Sequence, residues 1–234
     1  MYKYLSILCL TLGLVSCDPK QLQSALDLIN GASSGYSVAD GLKEALNVGV
    51  DASVKKLSAD GGYLKSIYKI ALPQDAQKVV NVVKKIPGFQ NVETRIIEKI
   101  NTAAEDAASK ASPIFVDAIK SITFDDAMNI LKGKDNAATQ YLNKKTYNPL
   151  FGEFKPVIIS SLNKVGALDL YADIINAHNK IPFVVKKNPD ISKHITDKAL
   201  TGLFSLIAKK EKGIRTDVSQ RTSDLLRNVF AQQD

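Results

Sequence analysis

Cysteine, tryptophan and histidine are scarce in this chain. Its 234 residues include two cysteines, two histidines and no tryptophan. His178 and His194 each stand apart from any recognisable metal-binding motif. We therefore expect no metal site and no cofactor, and a fold whose stability comes from packing.

Sequence motifs that mark several enzyme classes are also missing. The chain contains no GxGxxG, GxxxxGK[ST] or HExxH pattern and no EF-hand loop. A Ser–His–Asp arrangement stays open, because its members need not be neighbours in sequence. The sequence therefore indicates no particular reaction.

Arginine is rare among the basic residues, which are mostly lysines. The chain has four arginines and a net charge of +7. No basic patch is interleaved with aromatic residues, so nucleic acid is not an expected partner. A lysine excess of this size suits an anionic membrane surface, and it also occurs on ordinary soluble domains.

The composition favours an all-α fold. Hydrophobic residues make up 45% of the chain and aromatic residues 7%, which suits a helical core of Ala, Leu, Ile and Val. Periodicity and capping signals predict a single multi-helix domain of short capped helices over residues 37–234. Residues 63–72 are the one segment with an extended character, and any strand is expected there.

Residues 1–16 have the pattern of a lipoprotein signal peptide. Lys3 provides a positive start, and the apolar segment from Leu5 to Val15 is too short to span a bilayer stably. The segment ends in LVSC, which resembles the lipobox of bacterial lipoproteins, in which the cysteine is lipidated. Cys17 is therefore the expected lipidation site; the alternative is an ordinary signal peptide with an incidental cysteine.

Cleavage before Cys17 would remove Cys9 and leave no free thiol in the mature chain. Residues 17–36 then form a lipidated cysteine and a flexible tether, rich in Gly and Ser near its end. This predicts a domain anchored in the bacterial cell envelope and facing the periplasm, with the membrane as one partner. Asp18 directly follows the expected lipidated cysteine. In some bacteria an aspartate at that position retains a lipoprotein in the inner membrane, and in others it does not, so both membranes stay open.

The stretch from Asn101 to Tyr141 carries the clearest helix signals. Thr123 and Asp126 have the spacing of a capping box. Further on, Asn148-Pro149 is expected to begin a new helix, and Pro156 to kink or split it. Asp190 is expected to cap a long helix, and residues 219–230 to form the last one.

Four polar residues of the central stretch are candidates for a ligand site or an ion-pair cluster: Asn101, Glu105, Asp125 and Asp126. Asn101 and Glu105 lie one turn apart at the edge of an apolar stripe, where they can enter a pocket. Helix capping is the simpler interpretation of the two aspartates, and a salt bridge at a helix border that of Glu105.

Arg215 and Arg221 complete the candidate cluster. Three of the four arginines lie in the last twenty residues of a chain that otherwise uses lysine. The planar guanidinium suits bidentate pairing with a carboxylate. We therefore expect Arg215 or Arg221 to pair with Glu105, Asp125 or Asp126; the alternative is a solvated arginine with a local helical partner.

Several runs of the chain resemble one bacterial family. They are AAEDAASKASPIF, DDAMNILKGKDNAATQYL, GLKEALNVGVDASVKKLSADGGYL, KALTGLFSLIAKKEKGIR and RTSDLLRNVF. Together these runs resemble domain-of-unknown-function (DUF) family 4197 over most of residues 40–230. The resemblance implies a helical domain located in the envelope, and it implies no reaction and no catalytic residues.

Three functions are compatible with these features. The leading hypothesis is a non-enzymatic, lipid-anchored domain that binds another envelope component. The second is a helical carrier of a lipid or other apolar ligand, which requires a sizeable cavity. The third is a hydrolase that uses Glu105 with Asp125 and Asp126, which requires the three carboxylates to converge.

Overall fold

A computed structural model describes residues 38–187 and 190–231. The predicted signal peptide, Cys17 and the tether lie outside the described residues. The α-helices are α1 (Val38–Leu57), α2 (Gln74–Val83), α3 (Val92–Ala108), α4 (Ala111–Lys120), α5 (Phe124–Leu131), α6 (Ala137–Lys164), α7 (Ala167–Asn179), α8 (Ser192–Thr216) and α9 (Asp224–Phe230).

The all-α prediction is confirmed, and the described residues contain no strand. In the segment 63–72, where a strand was the alternative, residues 63–68 form a series of turns and residues 69–72 have no regular secondary structure. Within the described part of the chain, no helix combines the length and the apolarity that a bilayer span requires.

Helix α8 lies at the centre of the packing. It contacts α6, α1 and α3, and its apolar residues recur every three or four positions, as a buried helix face requires. Ile195, Ala199 and Leu203 are each fully buried along this face. The aliphatic core that the composition predicts is therefore assembled around one long helix.

The prediction that a helix begins at Asn148-Pro149 is wrong, and so is the prediction that Pro156 splits it. Both prolines lie inside α6, which continues for 28 residues. Its buried positions Leu142, Leu150 and Phe154 keep helical spacing past both prolines. Each proline side chain is exposed, so the carbonyl that loses its hydrogen bond can meet water, and packing of the opposite face holds the helix together.

The capping prediction for the start of α5 is confirmed. Thr123 and Asp126 form the predicted capping box at the start of α5. The Asp190 carboxylate accepts a hydrogen bond from the Ser192 backbone N–H at 2.9 Å, at the start of α8. The last helix is shorter than expected: a 3-10 turn at Val218–Gln220 precedes α9, which Ser223 caps.

We predict that Pro149→Ala and Pro156→Ala each stabilise the protein. Alanine restores one backbone hydrogen bond, and the helix interior favours alanine by about 3 kcal/mol. Greater freedom of the unfolded chain offsets about 1 kcal/mol of this gain. We expect urea unfolding to show an increase of about 1–2 kcal/mol. Glu153→Ala, at an exposed position of the same helix, is the matched control, and a gain no larger than the control's would contradict the argument.

Candidate functional site

The six candidate residues do not form one cluster. Asn101 and Glu105 lie together on α3 and are buried, whereas Asp125 and Asp126 lie at the start of α5. Arg215 and Arg221 lie at the end of α8 and just beyond it. Each group has its own set of partners.

Asn101 binds the backbone of the turn segment, residues 58–73. Its side-chain oxygen accepts a hydrogen bond from the Ile70 N–H at 2.8 Å, and its amide nitrogen donates to the Ile70 carbonyl at 2.9 Å. The same nitrogen also donates to the Ile97 carbonyl at 2.7 Å. A fully buried amide is thereby satisfied, and it replaces the strand partner that Ile70 lacks.

Glu105 binds the other end of the same segment. Its carboxylate accepts hydrogen bonds from the backbone N–H groups of Tyr63 and Leu64 at 3.0 and 3.3 Å. The side chain of Glu105 is buried, and both donors belong to turns that have no ladder to satisfy them. Asn101 and Glu105 therefore hold residues 63–70 against α3.

Tyr63 fixes this segment to α8 as well. Its hydroxyl donates to the Ala199 carbonyl at 2.7 Å. A Cβ atom at Gly202 would lie 3.0 Å from the Tyr63 ring, so the glycine permits this close approach. Burial, together with the nearby Glu105 charge, raises the pKa of the Tyr63 phenol. The phenol therefore stays protonated and remains a hydrogen-bond donor.

The two aspartates at the start of α5 belong to its N-terminus. Asp126 accepts from the Thr123 backbone N–H at 3.2 Å and from the Thr123 hydroxyl at 2.9 Å. These bonds hold the pKa of the Asp126 carboxyl below its usual value. Asp125 is exposed beside it. Glu105 is buried and bound to the Tyr63 and Leu64 N–H groups, so it shares no hydrogen-bond partner with either aspartate.

The expected pairing of Arg215 or Arg221 with a central carboxylate is wrong. Arg215 pairs with Glu211, one turn earlier on α8, with its Nη2 3.0 Å from the carboxylate oxygen. Its guanidinium also donates to the carbonyls of Leu131 and Ile130 at 3.1 and 2.9 Å. Arg215 therefore satisfies the C-terminus of α5, and the N-terminal aspartates of that helix are not its partners.

Glu211 is the partner that sequence reasoning missed. Its two carboxylate oxygens accept from the backbone N–H groups of Ala138 and Thr139 at 2.9 and 2.8 Å, and from the Thr139 hydroxyl at 2.7 Å. It therefore caps α6 from another helix, where the helix dipole favours a negative charge. One signal was available: Glu211 follows Ile207 by one turn on the apolar face of α8.

Arg221 forms hydrogen bonds with the C-terminal end of α8. Its Nε and Nη2 atoms donate to the carbonyls of Ile214 and Arg215, each at 3.0 Å. Arg221 is 2% exposed, so these hydrogen bonds are buried. The arginines near the C-terminus thus bind helix ends, a task for which their multiple donors are suited.

The core leaves little free volume next to these groups. A cavity of about 20 Å³ lies among Leu46, Ile207 and Phe230, bordered by Glu211 and Arg215. Such a volume admits about one water molecule, and it is far below the roughly 300 Å³ at which ligand pockets begin. Among the described residues, no group of three or more His, Cys, Asp or Glu side chains is arranged to hold a metal ion.

A long groove follows the exposed face of α8. It consists of three adjoining open clefts of about 640, 480 and 690 Å³. Thr201 and Ser205 line the first two clefts, and Asn136 and Ala208 line the last two. From His194 to Lys212 the floor extends about 27 Å at the helical rise of 1.5 Å per residue. We call this feature the α8 groove.

The α8 groove is basic. Six exposed lysines and one aspartate line it: Lys69, Lys134, Lys144, Lys198, Lys209, Lys212 and Asp135. Asp135 lies 3.4 Å from Lys212, and within the described residues the other five lysines have no acidic partner. A groove that is lined mainly by positive charges raises the local concentration of anions.

The middle of the groove also presents uncharged hydrogen-bonding groups. Gln140 and Asn143 project from α6, opposite Ser205 on α8. Asn143 and Ser205 form no side-chain hydrogen bond with another described residue, so both are available to a ligand. Tyr147 borders them and donates to Asp197 at 2.7 Å; burial, then that carboxylate, raises the pKa of Tyr147 to about 12.

We predict that Glu211→Ala strongly destabilises the protein. The change leaves the buried Arg215 charge without its carboxylate and removes the acceptor of two α6 N–H groups. Breaking a buried pair in this way costs about 3–5 kcal/mol, measurable by urea unfolding. Asp135→Ala is the matched control: its pair with Lys212 is exposed, so its loss should be under about 1 kcal/mol. Equal losses would show that Glu211 does not stabilise the fold through these buried bonds.

The comparisons with known proteins point to one family. The model of the family described as "Protein of unknown function (DUF4197)" matches residues 32–231. No curated protein and no solved structure gave a match. The match spans both groups of buried polar residues and the α8 groove. The chain belongs to the DUF4197 family.

Proposed function

We propose that this chain is a membrane-tethered, non-enzymatic binding protein of the bacterial cell envelope, and that the α8 groove contacts an acidic partner. The observation that carries the proposal is the groove itself. Five lysines without acidic partners among the described residues lie along it. Beside them lie Asn143 and Ser205, whose side chains form no hydrogen bond with another described residue. Opposite charge on a partner would steer its approach and fix its position.

The buried polar residues support a non-enzymatic role, because their side chains are already bound to the protein's own backbone. Asn101, Glu105 and Glu211 accept hydrogen bonds from backbone N–H groups, and Arg215 donates to carbonyls. A catalytic acid must reach a substrate atom within hydrogen-bonding distance. These side chains instead hold the protein's own backbone, so the groups available to a partner lie at the surface.

A carrier of an apolar ligand is less well supported than a surface binder. Ligand pockets usually enclose about 300–1,000 Å³ and bury most of the ligand. The cavity beside Arg215 is about 20 Å³, and the larger clefts are open and lined by lysines. The groove therefore fits a polar, extended partner better than a lipid tail.

The tether part of the proposal depends on the lipobox at Cys17. Acylation would hold the domain at a membrane, because each buried CH₂ adds about 0.8 kcal/mol to binding. The domain would then search for its partner close to that membrane surface, on the periplasmic side.

The groove is tested by photo-crosslinking in cells. A photoreactive residue at Asn143 is expected to capture a partner, and Lys144→Glu with Lys198→Glu is expected to abolish the adduct because both charges line the groove. Lys55→Glu with Lys56→Glu changes the charge equally on α1 and should leave the adduct intact. Adducts that are absent, or that form equally from exposed Glu153, would contradict the proposal.

The tether is tested separately through Cys17. We expect Cys17→Ala to eliminate metabolic labelling with a fatty acid and to leave the signal peptide attached. The readout is lipid labelling together with the mass of the protein. Labelling that persists in this variant would show that the lipobox interpretation is wrong.

A further inference from the structure

The loop between α7 and α8 exposes two large apolar side chains. Phe183 is fully exposed, and Val185 is 75% exposed. In a soluble domain, such side chains in neighbouring positions usually have a partner. We call residues 180–187 the Phe183 loop.

The loop is held in this exposed form by Asn179. The side-chain oxygen of Asn179 accepts from the Lys187 backbone N–H at 3.0 Å, and its nitrogen donates to the Lys187 carbonyl at 3.3 Å. One side chain thereby joins the two ends of the loop. The loop is thus built as a closed projection from the end of α7.

The backbone at the tip is unusual. Phe183 has a φ of 64°, in the left-handed region that bulky residues rarely adopt. Such a conformation costs of order 1–3 kcal/mol and persists only where the surrounding structure enforces it; residues of this kind cluster at functional sites. In this loop it occurs at the residue that extends its ring into solvent.

Lysines flank the apolar tip. Lys180 and Lys186 are exposed and have no acidic partner among the described residues. Lys187 lies 3.7 Å from Asp75, so its charge is partly balanced. The loop therefore combines an apolar tip with a cationic base. The tip matches the acyl-chain region of an anionic bilayer, and the lysines match its headgroup phosphates.

We propose that the Phe183 loop inserts into the interface of an anionic membrane. Phe183 and Val185 enter the acyl boundary while Lys180 and Lys186 contact lipid phosphates. A protein partner would need about 800 Å² of surface on each side, far more than two side chains at a loop tip offer. The insertion would orient the domain on a membrane; it does not depend on the α8 groove.

The absence of tryptophan from the chain provides a direct test. Phe183→Trp introduces a single tryptophan at the loop tip, in the predicted mature chain, residues 17–234, which also carries Cys17→Ala so that neither the signal peptide nor an acyl chain contributes. The probe is a vesicle of phosphatidylglycerol and phosphatidylcholine, with or without brominated acyl chains. We expect a blue shift on vesicle addition and quenching by the brominated lipid.

Phe124→Trp is the matched control, because Phe124 is 52% exposed at the start of α5 and does not line the α8 groove. Its emission should be quenched less, although the rest of the chain is the same. Val185→Trp provides a second reporter in the loop and should behave like Phe183→Trp. Equal quenching at Phe124 and at both loop positions would overturn the proposal.

The lysines are tested in the Phe183→Trp background. Each lysine near an anionic surface changes the binding constant about fivefold, so Lys180→Glu with Lys186→Glu should lower the binding constant for the vesicles at least about twenty-fivefold. Lys55→Glu with Lys56→Glu should have a smaller effect. A blue shift that needs no vesicles and grows with protein concentration would instead indicate contact with a second copy, and would also overturn membrane insertion.

Discussion

The satisfaction of helix ends by buried side chains is the constraint on which this fold depends. Each helix leaves backbone N–H and C=O groups unpaired at its ends, and burying them without partners is costly. Glu211 accepts hydrogen bonds from two N–H groups of α6. Arg215, which is paired with Glu211, donates hydrogen bonds to the last carbonyls of α5. One pair on α8 therefore joins the ends of two other helices to the central one.

The turn segment obeys the same rule. Residues 63–70 have no strand beside them, and Asn101 and Glu105 supply the missing acceptors and donors from α3. In both places, buried polar side chains bind the backbone. The lysine-lined α8 groove and the Phe183 loop are separate surfaces, and we propose an acidic partner for the first and a lipid interface for the second.

Local parts of this fold could be predicted from sequence, and long-range parts could not. The Thr123–Asp126 capping box depends on four consecutive residues, so its spacing was sufficient. The prolines of α6 led to a wrong prediction because sequence alone did not show that both are exposed. Glu211 was missed because the residues whose N–H groups it accepts, Ala138 and Thr139, lie more than seventy positions away. The arginines were recognised as important, but their partners are Glu211, one turn away on the same helix, and backbone carbonyls, which every residue carries.

Hydrogen exchange of individual backbone amides tests the central claim most directly. The first N–H groups of a helix have no partner within the helix and usually exchange readily. If Glu211 and Glu105 accept their hydrogen bonds, the amides of Ala138, Thr139 and Tyr63 will be protected to the level of global unfolding. Rapid exchange at these three amides, in a protein whose α8 amides remain protected, would contradict the account.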